Sequence, residues 1–297
     1  MNRFAPRVTA SLLMLISMVG ASTFSRSSSS ADVPPDSVPA RGETSAKAIN
    51  TDIARSEVTM PGAGITLAGI LFRPPTGESA LPAVVVLHGW AEASVPGAPR
   101  VERLARRLAE SGYVALALSM RGWPQSEGKD DCGSEQPDDI AKAVDWLASL
   151  PGVNADRIGA VGLSQGGQVA LLAAARTNRI RAVVAYYPVT DIREWQNTTD
   201  NQAIRKFYVP FVCGSGTSRS PISVAQKIDA AVLLIHGDRD RRVPTEQSVM
   251  MQRALQKANR TVDLQLISGA AHGFDPQNEQ AWASTTKFLA TYLAAKR

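Results

Sequence analysis

The sequence predicts a mostly parallel β-sheet with helices on both faces. Three observations carry this. Strand-like and helix-like segments alternate along most of the chain. Several strand segments are unbroken apolar runs, as in strands buried on both faces. The composition, 44% hydrophobic and 20% charged over 297 residues, supplies enough apolar material for a sizeable core.

The elements follow in order. Residues 1–25 read as a signal peptide, with basic Arg3 and Arg7, an apolar stretch over 8–19 and small residues at Gly20-Ala21. That stretch is shorter than the roughly 20 residues a membrane helix needs. The expectation is therefore export to the periplasm or the medium, with no membrane span in the mature form; an uncleaved N-terminal anchor is the alternative, which Ser11 and Ser17 in the apolar run disfavour. Residues 26–54, rich in Ser, Pro and Ala, read as a flexible tether. The folded domain is expected over 55–297. Within it, 65–72 alternates and ends at Pro74-Pro75, which suits an edge strand. Residues 83–87 are a buried strand, and 101–110 form a helix stopped by Gly112. A second buried strand over 113–118 precedes a helix over 140–150, ended by Pro151-Gly152. Strand 157–163, the alanine-rich helix 165–175 and strands 182–186 and 231–235 come next. Helix 248–257, strand 262–267 and helix 282–295 complete the pattern.

One interval breaks this rhythm. Residues 191–229 exceed a simple crossover and hold Trp195, Phe207, Tyr208 and Phe211 among polar residues. They read as a small lid-like insertion after the sixth strand of such a sheet, or as a helix packed on its edge.

The net charge is +5, and losing Arg3 and Arg7 with a leader would lower it to +3. No Lys/Arg block of the kind that tracks nucleic acid occurs, so no nucleic-acid partner is expected. HExxH, paired CxxC and GxxxxGKS patterns are lacking from the sequence, so neither metal nor organic cofactor is expected. Nothing in the sequence fixes an oligomeric state. Cys132 and Cys213 are the two cysteines. In an oxidising compartment they are a candidate disulfide pair, but sequence supplies no distance between them, and two free thiols stay open.

Gly162-Leu163-Ser164-Gln165-Gly166 stands where a buried strand gives way to a helix. Such a turn must be tight enough to lift the serine above the sheet, and the glycines remove side chains that would clash. A serine hydroxyl is a weak nucleophile and needs a base. Of three histidines, His88 and His236 end buried strands, whereas His272 lies in a loop between the last strand and the last helix. For the chain order serine, acid, histidine, His272 leaves room for an acid between. The carboxylate that would orient it is sought in His236-Gly237-Asp238-Arg239-Asp240-Arg241-Arg242-Val243-Pro244. Asp240 can turn back from this loop, Asp238 is the local alternative with a bland role in the turn, and Asp191 is a third candidate. Donors for an oxyanion are expected from the backbone N–H groups of Gln165 and of Trp90, the latter in His88-Gly89-Trp90 after strand 83–87. His88 is expected to be a structural hydrogen-bonder. Trp90, Trp123, Tyr187 and Trp195, near strand ends or in the insertion, are candidate substrate-binding aromatics.

His88-Gly89-Trp90, the serine pentapeptide, the His236 to Pro244 segment and His272-Gly273-Phe274 together resemble the α/β-hydrolase superfamily, in its order and over about residues 55–297. Within it the chain is most similar to the group of dienelactone hydrolases and prolyl-oligopeptidase-like peptidases, and Arg121-Gly122 with Ser126-Glu127-Gly128 is similar to a loop of such proteins. The resemblance favours Asp240 over Asp238 as the acid. It implies a serine hydrolase working by acyl transfer through Ser164, His272 and Asp240, on a small ester or a short peptide. Two departures matter. Dienelactone hydrolases use a cysteine where Ser164 stands. The oligopeptidases carry an N-terminal propeller, for which this sequence offers no length. An ester substrate is therefore expected ahead of a peptide, with an inactive hydrolase-fold binding protein as the reading from another class.

Overall fold

The structure, a computed structural model, describes residues 52–75, 80–90, 97–214 and 217–295. The expected signal peptide and nearly all of the expected tether lie outside them.

Eight strands form one sheet in the spatial order β1-β2-β4-β3-β5-β6-β7-β8. They are β1 (Ala54–Pro61), β2 (Thr66–Arg73), β3 (Leu81–Leu87), β4 (Val114–Ser119), β5 (Val153–Leu163), β6 (Ile180–Tyr186), β7 (Ala231–Gly237) and β8 (Val262–Ile267). β1 and β2 form an antiparallel hairpin, β2 pairs antiparallel with β4, and every other pairing is parallel. The helices are α1 (Gly97–Glu110), α2 (Gln136–Ser149), α3 (Gln165–Ala174), α4 (Ile192–Thr198), α5 (Glu246–Lys257) and α6 (Glu279–Tyr292).

Side-chain alternation along the strands divides the apolar material between the faces. Val85, Leu116, Ala160 and Val183 point to the cluster beneath α2 and α3, whereas Val84, Ala115, Val161 and Val184 point to that beneath α1 and α6. Burial on both faces explains why these strands read as continuous apolar runs.

Two expectations change. Residues 65–72 are not an edge strand: β2 lies between β1 and β4, and β1 takes the edge. β1 escapes periodicity because most of its side chains face solvent and are polar, among them Arg55, Glu57 and Thr59. Helices α1, α2 and α6 also start three or four residues earlier than their apolar spacing indicates, since first turns are polar or small.

The segment 191–229 is more than one packed helix. After α4 comes a π-helix, Ile204–Cys213, and then two short 3₁₀ turns, Thr217–Arg219 and Pro221–Lys227. Pro210 lies inside the π-helix and has no N–H to return to the preceding turn. The wider i to i+5 winding appears in the 2.8 Å bond from Gly214 N–H to the Val209 carbonyl. Ile192, Trp195, Ile204, Tyr208 and Val209 form a third small core with Val189 and Val243. The sulfurs of Cys132 and Cys213 are bonded, which joins the end of the π-helix to the loop before α2. Among the described residues, no helix is long and apolar enough to cross a membrane.

Candidate active site

The site lies at the carboxyl ends of the parallel strands, where β5 turns into α3. Ser164 sits at this bend with φ of 54°, a left-handed backbone that serine rarely adopts. The flanking glycines make the bend possible. A Cβ on Gly162 would stand 2.2 Å from the Gly166 carbonyl oxygen, and one on Gly166 would stand 2.4 Å from that of Leu87. The Ser164 N–H donates to the Tyr186 carbonyl at 2.9 Å, tying the bend to β6.

His272, in the loop after β8, faces Ser164. The Ser164 hydroxyl is 3.2 Å from His272 Nε2, and His272 Nδ1 is 2.7 Å from Asp240 Oδ2. The geometry suits a hydroxyl donating to Nε2 while Nδ1–H donates to the carboxylate. Asp240 is fixed from its other side, since Oδ1 accepts from the backbone N–H of Arg242 (3.0 Å) and Val243 (2.9 Å). Burial alone would push the Asp240 carboxyl up. Hydrogen bonds from His236, His272 and the Val243 N–H, with the positive end of His272, outweigh it and hold the group at about 2. Asp238 is exposed and accepts from the Gly269 N–H at 2.7 Å, a turn role away from His272. Asp191 caps α4 through the Glu194 N–H.

The other two histidines brace the site. His236 is fully buried, with Nδ1 2.7 Å from the Ser248 hydroxyl and Nε2 2.8 Å from the Val243 carbonyl. It lies 3.4 Å from Asp240 and so backs the carboxylate. His88 Nε2 accepts from the Met120 N–H at 3.0 Å, and burial pulls this imidazole down to about 4, so it is neutral near pH 7. Both act within the scaffold.

Two cavities meet at Ser164, of about 130 Å³ and about 210 Å³, and both are lined by Trp90, Ser164, Arg242 and His272. The smaller adds Val189, Trp195, Ile204, Tyr208 and Val243, with polar Gln165, Gln168 and Asn201 among them. The larger adds Arg100, Tyr187 and the Gly89 backbone. Gly89 is close enough that a Cβ there would stand 3.2 Å from the Ser164 Cβ, so the loop carrying Trp90 passes directly beside the hydroxyl. Neither the Trp90 nor the Gln165 N–H has a hydrogen-bond partner among the described residues.

The four candidate aromatics divide. Trp90 is half-exposed and leans on Tyr208, with ring centroids 5.0 Å apart. Trp195 lines the smaller cavity and donates from Nε1 to the Arg242 carbonyl at 2.8 Å. Tyr187 packs against the His272 ring at 4.8 Å and borders the larger cavity. Trp123 is a correction: it is buried in the core and packs on His88 at 4.7 Å, with no face on either cavity. Its place after a strand fixed its height in the sheet but not the direction of its ring.

Sequence reasoning missed a cluster behind the smaller cavity. Asp130 Oδ2 accepts from the Tyr208 hydroxyl at 2.8 Å, and Oδ1 accepts from Gln165 Nε2 at 2.8 Å. Gln165 Nε2 also donates to the Tyr208 oxygen at 2.9 Å. These residues are 35 to 78 positions apart, and no local pattern joins them. Among the described residues, no group of His, Cys, Asp and Glu has the arrangement of a metal site.

A serine on a glycine-flanked bend at the top of such a sheet, joined through an imidazole to a buried carboxylate, defines an α/β-hydrolase of the serine type. The match to the model described as the prolyl oligopeptidase family, over residues 100–296, goes further: the chain belongs to that family. It is 28% identical to an "uncharacterized peptidase YtmA" of Bacillus subtilis, over 59% of this chain and 70% of that protein. It is also 28% identical to a "probable 2-oxo-3-(5-oxofuran-2-ylidene)propanoate lactonase" of Bradyrhizobium sp, over 75% of this chain and 89% of that protein. The acylaminoacyl peptidase of Pyrococcus horikoshii shares the fold, with a TM-score of 0.69, 20% identity and 82% of this chain covered. The chain spans less than half, 43%, of that peptidase's length.

Proposed function

We propose that the protein hydrolyses carboxylic esters by two-step acyl transfer at Ser164. The observation that carries this is the unbroken line from the Ser164 hydroxyl through His272 to Asp240. In this reading His272 takes the Ser164 proton as Oγ attacks the carbonyl, forming an imidazolium that Asp240 stabilises. The N–H groups of Trp90 and Gln165 stabilise the oxyanion. His272 returns the proton to the departing alcohol, and water then repeats the sequence on the acyl-enzyme. The smaller cavity, walled by Trp195 and Tyr208 from the segment 191–229, takes the acyl group, and the cleft with Arg100 and Tyr187 takes the leaving group.

Ester preference is supported by the small size of the cavity, with Val189, Ile204 and Val243 in its lining, and by the lactonase name of a relative of similar span, a lactone being a cyclic ester. The family and the acylaminoacyl peptidase fold relative favour a second reading, hydrolysis of short peptides or amides by the same residues. Nitrophenyl esters and aminoacyl anilides, compared by kcat/KM, separate the two. Turnover of anilides at rates equal to or above those of esters would overturn the ester reading. We also propose export after removal of the N-terminal segment, a reading supported by the Cys132–Cys213 bond, which needs an oxidising compartment. Mass spectrometry of the protein from culture fractions tests it: an uncleaved chain confined to the cytoplasm contradicts export.

A further inference from the structure

The loop before α2 carries two adjacent aspartates with separate tasks. Asp131 faces the helix, accepting from the Ser134 N–H at 2.9 Å and the Glu135 N–H at 2.8 Å, so it serves the backbone at the start of α2. Asp130 faces the other way, toward the π-helix and the bend after Ser164. Its Oδ1 gathers Gln165 Nε2, Gln136 Nε2 (3.1 Å) and the Cys132 N–H (3.1 Å), and its Oδ2 takes the Tyr208 hydroxyl. Tyr208 donates to Asp130 and accepts from Gln165, so both polar capacities of its oxygen are engaged and its ring is held as a wall of the smaller cavity. The disulfide fixes the same wall five residues further on, at Cys213, to Cys132.

Resting on the acyl-transfer reading above, we propose that Asp130 is a positioning residue that sets the depth of the acyl cavity by holding Tyr208 and Gln165, and thereby decides which acyl lengths the enzyme accepts. Asp130 itself lines neither cavity, so it acts through the two residues it holds. Three N–H groups converge on Oδ1 and one hydroxyl on Oδ2, and an amide offers one acceptor oxygen where the carboxylate offers two. An asparagine replaces it poorly: with its oxygen kept on the three N–H groups, its NH₂ faces the Tyr208 hydroxyl, whose proton loses its acceptor. Charge-assisted bonds of this kind hold geometry more firmly than neutral ones. Burial raises the Asp130 carboxyl above its ordinary range, and the four hydrogen bonds it accepts offset only part of that rise.

The test compares Asp130→Asn with wild type on nitrophenyl acetate, which leaves the cavity empty, and nitrophenyl hexanoate, which fills it. The expected result is a loss in kcat/KM of about tenfold on hexanoate, through KM, and a clearly smaller loss on acetate. Tyr208→Phe removes the same hydrogen bond from the other side and carries the test if Asp130→Asn fails to fold. The double variant is expected to be no worse than the poorer single, because both changes break one contact. Equal losses on the two esters, no loss on either, or additive losses would overturn the proposal. Near-UV ellipticity of the Trp90–Tyr208 pair, read on the same samples, is independent of turnover. A wild type that hydrolyses neither ester refutes the ester reading on which the proposal rests, whereas an Asp130→Asn spectrum identical to wild type refutes the positioning role.

Discussion

Replacing Asp240 by asparagine turns one atom of the site against the rest. Oδ1 of Asp240 accepts two backbone N–H groups, from Arg242 and Val243, at 3.0 and 2.9 Å. An asparagine keeps those bonds only by directing its oxygen to them, which places its NH₂ where Oδ2 now meets His272 Nδ1 at 2.7 Å. Nδ1 must then accept, so the imidazole carries its proton on Nε2, facing the Ser164 hydroxyl whose proton it should take. The opposite rotamer sets the NH₂ against two backbone donors, leaving them unsatisfied at a cost of about 1–3 kcal/mol each. The wrong tautomer therefore prevails while the fold is kept. Loss of a triad carboxylate in this way lowers kcat by about 10⁴, or roughly 5.5 kcal/mol of barrier. The assay is the steady-state rate on a nitrophenyl ester, with circular dichroism to show that the variant is folded. Asp238→Asn is the control, since its amide can turn its oxygen to the Gly269 N–H, and its rate should stay near wild type. A variant at Asp240 within tenfold of wild type, beside a crippled variant at Asp238, would refute the reasoning.

Other outcomes follow from the same structure. Cys132→Ser with Cys213→Ser opens a loop spanning a separation of 81 residues, and chain entropy alone then costs about 4.5 kcal/mol, read as a fall in Tm. No fall in Tm would mean the bond does not form in the protein. Acid stability should fall in two windows. His88, held at about 4 by burial, binds its proton more readily when unfolded, so about 3 kcal/mol is lost as pH falls from 6.5 to 4. Asp240, held at about 2 against an ordinary 3.8, stabilises the fold above 3.8, and roughly 2 kcal/mol disappears as pH falls through 2. Denaturant unfolding across pH 7 to 2 checks both, and stability flat from pH 6.5 to 4 would contradict the His88 assignment.

What the sequence reveals and what it hides differ in range. The bend at Ser164 is legible because its constraint is local: Gly162 and Gly166 stand within two residues of the serine they make room for. The buried strands are legible because burial on both faces leaves an unbroken apolar run. His272 is found by chain order. The choice of Asp240 over Asp238, two residues apart on one loop, needs the family resemblance, because spacing does not say which carboxylate turns inward. The contact of Asp130 with Tyr208 leaves no signal: Tyr208 is legible as an aromatic of the insertion, but its partner lies 78 positions away in a loop and looks like an ordinary loop residue. β1 is hidden for the opposite reason, since an edge strand exposes polar side chains and loses its hydrophobic period. Trp123 marks the limit of strand-end arguments, because a residue placed correctly along a strand can still turn its ring into the core.

The central claim is that the Ser164 hydroxyl attacks the substrate carbonyl and becomes acylated, and a fluorophosphonate probe tests it most directly. Peptide mass mapping after reaction should place a single phosphonyl adduct on Ser164, with none on Ser164→Ala or on heat-denatured protein. An intact, folded protein that stays unlabelled, or that carries the adduct on another residue, would contradict the account.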